Sequence, residues 1–557
     1  MYQPIENWIS LDRDTSPTTA STNLYNALVA AGAKPVNLGQ GREIVELPLL
    51  QKLTIEAFEQ AIKGGKLLHS KYGSPSAELN AASAAWLKRI MNVDAVKDAT
   101  FTLENQGRGG LYAAFHLLAS LAGFRKDGRI VVPDTSWPMV SDQLADFQLK
   151  PALYTMARGR YADHIRAQLE AHGDAVVGVY INSPHNPTGS LLAKADFEQI
   201  FTVLNAANSG AALERRGGRK IGLVMDNPYP HAAPEIMRGG QRGLDTGLDS
   251  FRQDQATSWI MPVSASKFFG TAEPGFTMVA THAAYAKPLA ARLMRSVGIG
   301  FFSPYFRALT ATLQAANDTA VLDHFALLRA KYAANRAALK TALGTAVVDG
   351  DPGMTALVTI DPQDFEGRLL PGRDGRHFPI DDLNDAIEYL ANRHGVITVN
   401  NGMDSAGRAL LRLAAAEEPA NYRKGIDRLA AGFSEMREAP RRNEPPKMRE
   451  IRSADSFAEG DPCRQRSPAS LATLGYRSPR SFSMHRAMTA ASSASTSGRS
   501  DVNDAGVPTM ICVHSCGSDP PANGATPASS SKRMTPSDQM SPRASTSRLE
   551  CSCSGDM

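Results

Sequence analysis

Val176-Val177-Gly178-Val179-Tyr180-Ile181-Asn182, followed at once by Ser183-Pro184-His185-Asn186-Pro187-Thr188-Gly189, decides the fold class. A short run of apolar, β-branched residues that stops in Pro, Asn and Gly reads as a buried strand closed by a turn. The same grammar recurs at Arg129–Pro133, Lys220–Asp226, Trp259–Ser264 and Thr277–Thr281. Amphipathic stretches such as Gly110–Gly123 and Ala193–Asn205 separate most of these runs. Strands alternating with helices predict an α/β domain with a mostly parallel sheet between helical layers. In such sheets ligands gather beyond the carboxyl ends of the strands, so chemistry is to be sought just after each run.

Past Pro304 the pattern changes. A helix over His324–Leu343 leads to a strand at Thr355–Ile360, a second helix over Ile380–His394, strands at Val396–Asn400 and Ala409–Ala414, and a closing helix from Asn421 to about Arg437. This predicts a smaller α+β domain. The expected organisation is an N-terminal arm (1–50) serving the small domain and the active site, a large cofactor-binding domain (51–305), a small domain (306–440) and a tail (441–557).

The chain has 557 residues, 43% hydrophobic and 21% charged, which excludes collagen, coiled coil and wholly disordered classes. Residues 1–440 carry 45 residues of each charge sign, and the net +4 arises from 15 basic and 11 acidic residues in the tail. A neutral body argues against nucleic acid as a partner. Ser supplies 23 and Pro 11 of the 117 tail residues, a composition expected to remain disordered. All five cysteines lie there, at 463, 512, 516, 551 and 553, in spacings that fit no structural zinc site, so no metal is expected. The apolar-leaning stretch Gly110–Phe124 is too short for a membrane span and contains His116, and Met1-Tyr2-Gln3-Pro4 opens no signal peptide, so the expected location is cytoplasmic.

Four segments follow or precede these runs in an informative order: Asn105-Gln106-Gly107-Arg108-Gly109 before a helix, Asn186-Pro187-Thr188-Gly189, Asp226-Asn227-Pro228-Tyr229, and Ser264-Ala265-Ser266-Lys267. Leu411-Arg412-Leu413 completes the set. In this order, over roughly Val36 to Arg437, the chain resembles the class I/II aminotransferases, fold type I enzymes that use pyridoxal 5'-phosphate.

The resemblance implies a role for each motif. Lys267 would form an imine with the cofactor aldehyde and, once released, shuttle a proton. Asp226 would pair with the pyridine nitrogen and keep it protonated. Tyr229 and Asn186 would bond the ring hydroxyl, and Trp137 would stack on the ring. Gly107, Arg108 and Gly109 would offer N–H groups to the phosphate at a helix start, joined by the Ser264 and Ser266 hydroxyls. Tyr72 would reach the phosphate of a partner subunit, which implies a homodimer. Arg412 would clamp the substrate carboxylate, with the backbone at Gly41 closing over it. Substrates would be an α-amino acid and a 2-oxo acid.

One feature departs from the family. Its phosphate-pairing arginine falls where Thr277 stands, and no Arg or Lys lies between Lys267 and Lys287. Two compensations are expected: the Arg108 guanidinium takes the phosphate, or only its N–H does. The departure is also compatible with elimination, cyclisation or racemisation on the same cofactor. A regulatory sensor is disfavoured, because only about 35 residues precede Val36 and a DNA-binding module needs more.

Overall fold

The computed structural model describes residues 2, 8–39, 41, 47–64, 77–96, 100–103, 107–269, 276–296, 310–314, 318–351, 353–372 and 376–442. These all fall in one compact unit, residues 1–455. Tyr72 and the tail from residue 443 onward lie outside the described residues.

Seven strands form the main sheet: β1 (Thr100–Leu103), β2 (Arg129–Pro133), β3 (Lys150–Tyr154), β4 (Val176–Asn182), β5 (Gly222–Asp226), β6 (Trp259–Ser264) and β7 (Thr277–Thr281). Their order is β1-β7-β6-β5-β4-β2-β3. β3, β2, β4, β5 and β6 pair in parallel, and β7 pairs antiparallel with both β6 and β1. The register sets Asn182 beside Asp226 and Ser264 beside Thr277, with Leu103 on Thr277's other side. One edge of the sheet thus collects the carboxyl ends of the parallel strands and the amino end of β7.

Strand alternation splits the core into two layers. Val132, Tyr180, Val224, Ile260 and Val279 face helix Gly107–Leu121, meeting Phe115 and Leu118. Val131, Ile181, Met225 and Met261 face the other way, toward Phe197, Phe201 and Leu204 of helix Lys194–Ala207. Each fully buried large side chain of this kind contributes roughly 1.5–3 kcal/mol.

A second apolar core lies under an antiparallel three-stranded sheet of β8 (Thr355–Ile360), β9 (Val399–Met403) and β10 (Ala409–Ala414), ordered β8-β10-β9. Helices Asp318–Leu343 and Pro419–Glu438 cover it. Residues near the amino terminus join it. Val36–Asn37 pairs in parallel with Val396–Ile397. Trp8 and Leu11 donate to the Glu388 carboxylate, and Ile9 exchanges two hydrogen bonds with Asn392.

The expected helix over Ile380–His394 is corrected. Ile380 closes a strand, His377–Ile380, paired with Arg368–Pro371. The helix begins at Leu383, where Asp382 and Asp385 form a reciprocal capping box, and Leu390–His394 widens into a π turn. The expected strand Val396–Asn400 breaks at Thr398 into two partners of different sheets. Among the described residues no helix is long and apolar enough to cross a membrane.

Candidate active site

The candidate site lies at the strand edge just described. Asp226 ends β5 with its side chain on the same face as Tyr180 and Asn182 of β4. Tyr180 donates its hydroxyl to Oδ2 of Asp226 at 3.1 Å, and Asn182 donates Nδ2 to the same oxygen at 3.3 Å. Burial pushes the Asp226 carboxyl up to about 7, while the Tyr180 hydrogen bond and the Lys267 charge pull the other way. The Tyr180 phenol lies well above its ordinary value, first through burial and then through the Asp226 charge, so it stays a donor.

The turn after β4 is tied back to the same strand end. Asn182 accepts through Oδ1 from the Asn186 backbone N–H at 2.6 Å. Asn186 in turn donates Nδ2 to the Tyr229 hydroxyl at 3.5 Å, and its own Oδ1 is buried with no partner. Burial raises the Tyr229 phenol to about 12, against the pull of the Arg412 charge. His185, between these groups, is buried and bridges Thr188 Oγ1 and the Thr135 carbonyl. Burial lowers its pKa to about 4, so it is a neutral structural residue at neutral pH.

Lys267 lies on the short helix Ala265–Phe268 that follows β6, and its Nζ donates to the Gly41 carbonyl at 2.6 Å. Arg412, mid-strand in β10 between the core residues Leu411 and Leu413, points away from that core. It is 2% exposed. It donates Nη2 to the Gly39 carbonyl at 3.1 Å, while its Nε is buried without a partner among the described residues. Gly41 joins the two: a Cβ built there would lie 3.8 Å from Arg412 Nη2 and 3.9 Å from the Tyr229 hydroxyl. Gly39 packs so closely on β9 that a Cβ would sit 2.9 Å from Val399.

Gly107, Arg108 and Gly109 form the first turn of helix Gly107–Leu121. Gly107 abuts β6, since a Cβ there would lie 3.1 Å from the Ser264 Cβ. The Arg108 side chain is exposed, with its guanidinium 5.6 Å from the Trp137 ring centroid, and its carbonyl accepts from Gln143. Thr277 is fully buried beside Ser264. The Ser266 side chain and residues 270–275 lie outside the described set. Arg408, four residues before Arg412, is exposed and pairs with Asp404.

Lys267, Asp226, Tyr229, Asn186, Arg412 and Gly41 are therefore brought to one site from five separate chain segments. Two polar residues beside it, Tyr180 and Asn182, carry no sequence motif. Tyr180 sits inside an apolar run and reads as core, although its spacing of two from Asn182 puts both on one face. Asn227 follows Asp226 and is buried with both amide atoms unpartnered.

The profile of the family described as aminotransferase class I and II matches residues 36–211, a stretch that holds the helix start, Trp137 and the Asn-Pro-Thr-Gly turn. Over this segment, about a third of the chain, the sequence is similar to that family. The aminotransferase fold extends well beyond it. The aspartate aminotransferase of Rhizobium meliloti superposes with a TM-score of 0.58 at 17% identity, over 78% of this chain and all of that one. The Thermus thermophilus aspartate aminotransferase with maleate gives 0.57 at 21% identity, over 76% of this chain and 97% of that one. Substrate-bound BacF of Bacillus subtilis gives 0.56 at 15%, over 76% and 95%. At these identities the likeness shows the aminotransferase fold alone. No curated protein matches the sequence.

Proposed function

We propose that the protein is a pyridoxal 5'-phosphate-dependent aminotransferase that moves an amino group between an α-amino acid and a 2-oxo acid. The observation that carries this reading is the convergence on Gly41: the Lys267 amine bonds its carbonyl, and the Arg412 guanidinium lies within 4 Å of its Cβ direction. One amine, one buried carboxyl and one buried guanidinium in a single cleft fit the cofactor and its substrate. The buried polar atoms without partners, Asn186 Oδ1 and Arg412 Nε, fit too, since such groups are costly unless a ligand bonds them.

When bound, pyridoxal phosphate supplies an aldehyde that exchanges amino groups and a ring that withdraws electrons. Asp226 would bond the pyridine nitrogen, and a cation placed there favours the ionised carboxylate that burial alone opposes. Tyr229 and Asn186 would hold the ring hydroxyl, and Trp137 the ring face. Gly107, Arg108, Gly109, Ser264 and Ser266 would hold the phosphate. Arg412 would bind the substrate carboxylate in bidentate fashion, releasing the Gly39 carbonyl. Lys267, fixed near Gly41, would move the proton at the substrate α-carbon.

A homodimer with Tyr72 acting across subunits belongs to the same reading. Ile55, Phe58 and Ile62, exposed along one face of helix Pro48–Lys63, supply an apolar stripe suited to a second copy. A cytoplasmic location, the division into a large and a small domain near residue 305, and a tail with no part in catalysis complete the proposal. A second reading, elimination, cyclisation or racemisation on the same cofactor, is favoured by the buried Thr277 where the family keeps an arginine. Transamination needs a 2-oxo acid acceptor and these reactions do not, so turnover with and without acceptor separates the two.

Borohydride reduction of the cofactor-loaded protein, followed by peptide mapping, tests the central assignment. The pyridoxyl group is expected on Lys267, and label on another lysine overturns it. Lys267→Ala is expected to lower turnover by about 10³-fold or more while leaving the protein folded.

A further inference from the structure

The Asp226 carboxylate is held on one side only. Both side-chain donors that reach it, Tyr180 and Asn182, bond Oδ2, and among the described residues no donor bonds Oδ1. Asn182 has a second duty, since its Oδ1 fixes the Asn186 backbone. Among the described residues the Tyr180 hydroxyl bonds only the carboxylate. Its ring is fully buried in the layer beneath helix Gly107–Leu121, 5.8 Å from Phe115, where phenylalanine would fill the same space. A tyrosine hydroxyl in such a layer needs a partner, and here that partner is Asp226.

We propose that Tyr180 is a positioning residue for the cofactor-binding carboxylate: by donating to Oδ2 it fixes the rotation of Asp226 and presents Oδ1 to the pyridine nitrogen. The proposal rests on the pyridoxal phosphate reading above. Its chemistry is that of a neutral donor to an acceptor. A hydrogen bond to the ionised carboxylate favours ionisation, so Tyr180 keeps Asp226 charged at a lower pH than burial would allow. The other groups that bear on Asp226 are the Lys267 amine, which acts in the same direction, and Tyr229, a neighbour of Asp226 and Tyr180. Tyr154 lies behind Tyr180 and donates to its backbone carbonyl at 3.5 Å without reaching the carboxylate.

The test is the pH dependence of cofactor binding by the full chain, with the dissociation constant for pyridoxal phosphate measured from pH 5.5 to 9. Tyr180→Phe keeps the ring and removes the donor. Its binding curve is expected to shift to higher pH, with affinity roughly 10-fold lower near pH 6.5 and within about 2-fold of the parent at pH 9. Tyr154→Phe, which removes the hydroxyl that reaches the Tyr180 backbone carbonyl and leaves the donor to the carboxylate in place, is expected to follow the parent throughout. Placing 3-fluorotyrosine at position 180, a stronger donor that preserves the hydroxyl, should shift the curve the other way and serves should Tyr180→Phe fold poorly. A Tyr180→Phe or fluorotyrosine protein with the parental pH profile overturns the proposal while leaving the cofactor reading intact. A parent that binds no pyridoxal phosphate at any pH overturns the cofactor reading, and this proposal with it.

Discussion

Asp226 and Arg412 are both buried charges on strands, yet the fold treats them oppositely. Asp226 ends a parallel strand, where two neighbouring side chains donate to one of its oxygens. Arg412 sits mid-strand in an antiparallel sheet, where among the described residues one backbone carbonyl holds it and Nε has no partner. Burial disfavours the charged form of each, raising the pKa of Asp226 and lowering that of Arg412. The carboxylate is already aimed by its own sheet. The guanidinium has a placeholder, the Gly39 carbonyl, which carries no charge and satisfies one N–H. A permanent resident needs a prearranged seat, while a substrate that must leave needs a cation whose best partner is the substrate itself.

Arg412→Ala should break this comparison most visibly. Removing one member of a buried charge pair costs roughly 2–5 kcal/mol, or about 30-fold to several thousand-fold, in kcat/KM for the amino donor. The dissociation constant for pyridoxal phosphate should stay within about 2-fold of the parent, because the proposed role of Arg412 is toward the substrate and not the cofactor. An equal loss in cofactor affinity would show that the two charges are not separate devices.

Asp226→Asn sharpens the other half through stability without cofactor. The folded carboxyl titrates at about 7, above its ordinary value, so the native state keeps a proton that the unfolded chain releases. That stability is fully present below about pH 4 and is lost as pH rises to about 7, a total of about 4 kcal/mol at most. His185 works in the opposite sense: its folded value near 4 makes the protein lose stability as pH falls below about 6.5. His185 is common to both proteins, so the difference between them isolates Asp226. Cofactor-free Asp226→Asn is expected to exceed the parent by about 2–4 kcal/mol above pH 7.5 in denaturant unfolding, and to match it near pH 4. A pH-independent difference would remove the buried carboxyl as its source.

The same contrast explains what the sequence revealed. Motifs placed after strands were legible because a parallel sheet exposes its carboxyl edge, and turn residues there announce themselves as Ser-Pro-His-Asn-Pro-Thr-Gly does. The main helices and strands followed for similar reasons of periodicity. Tyr180 was hidden because a tyrosine within Val-Val-Gly-Val-Tyr-Ile-Asn looks like packing, and its partner lies 46 residues away. The Lys267 bond to Gly41 spans 226 residues and has no local signature. β3 was missed because it is an edge strand with three of its five residues exposed, and β1 because four residues give too little pattern. The false start of the helix at Ile380 came from periodicity read through a strand, although the capping pair Asp382 and Asp385 marked the true beginning.

Arg108 carries the smallest expected effect and the finest distinction. The missing family arginine at Thr277 made its guanidinium a candidate for the phosphate charge. In the structure that guanidinium is exposed and lies 5.6 Å from the Trp137 ring centroid, while the first helical turn supplies the N–H groups and Gly107 abuts Ser264. An exposed cation on an aromatic face contributes about 0.5–1 kcal/mol. Backbone N–H groups at the helix start are unchanged by a side-chain substitution, and solvent screens what charge remains. Arg108→Ala is therefore expected to weaken pyridoxal phosphate binding by no more than about 5-fold, with little change when salt is raised. A loss of about 30-fold or more that shrinks in high salt would put the guanidinium on the phosphate. The cofactor edge would then depend, like Arg412, on a cation that finds its proper partner only when the ligand arrives.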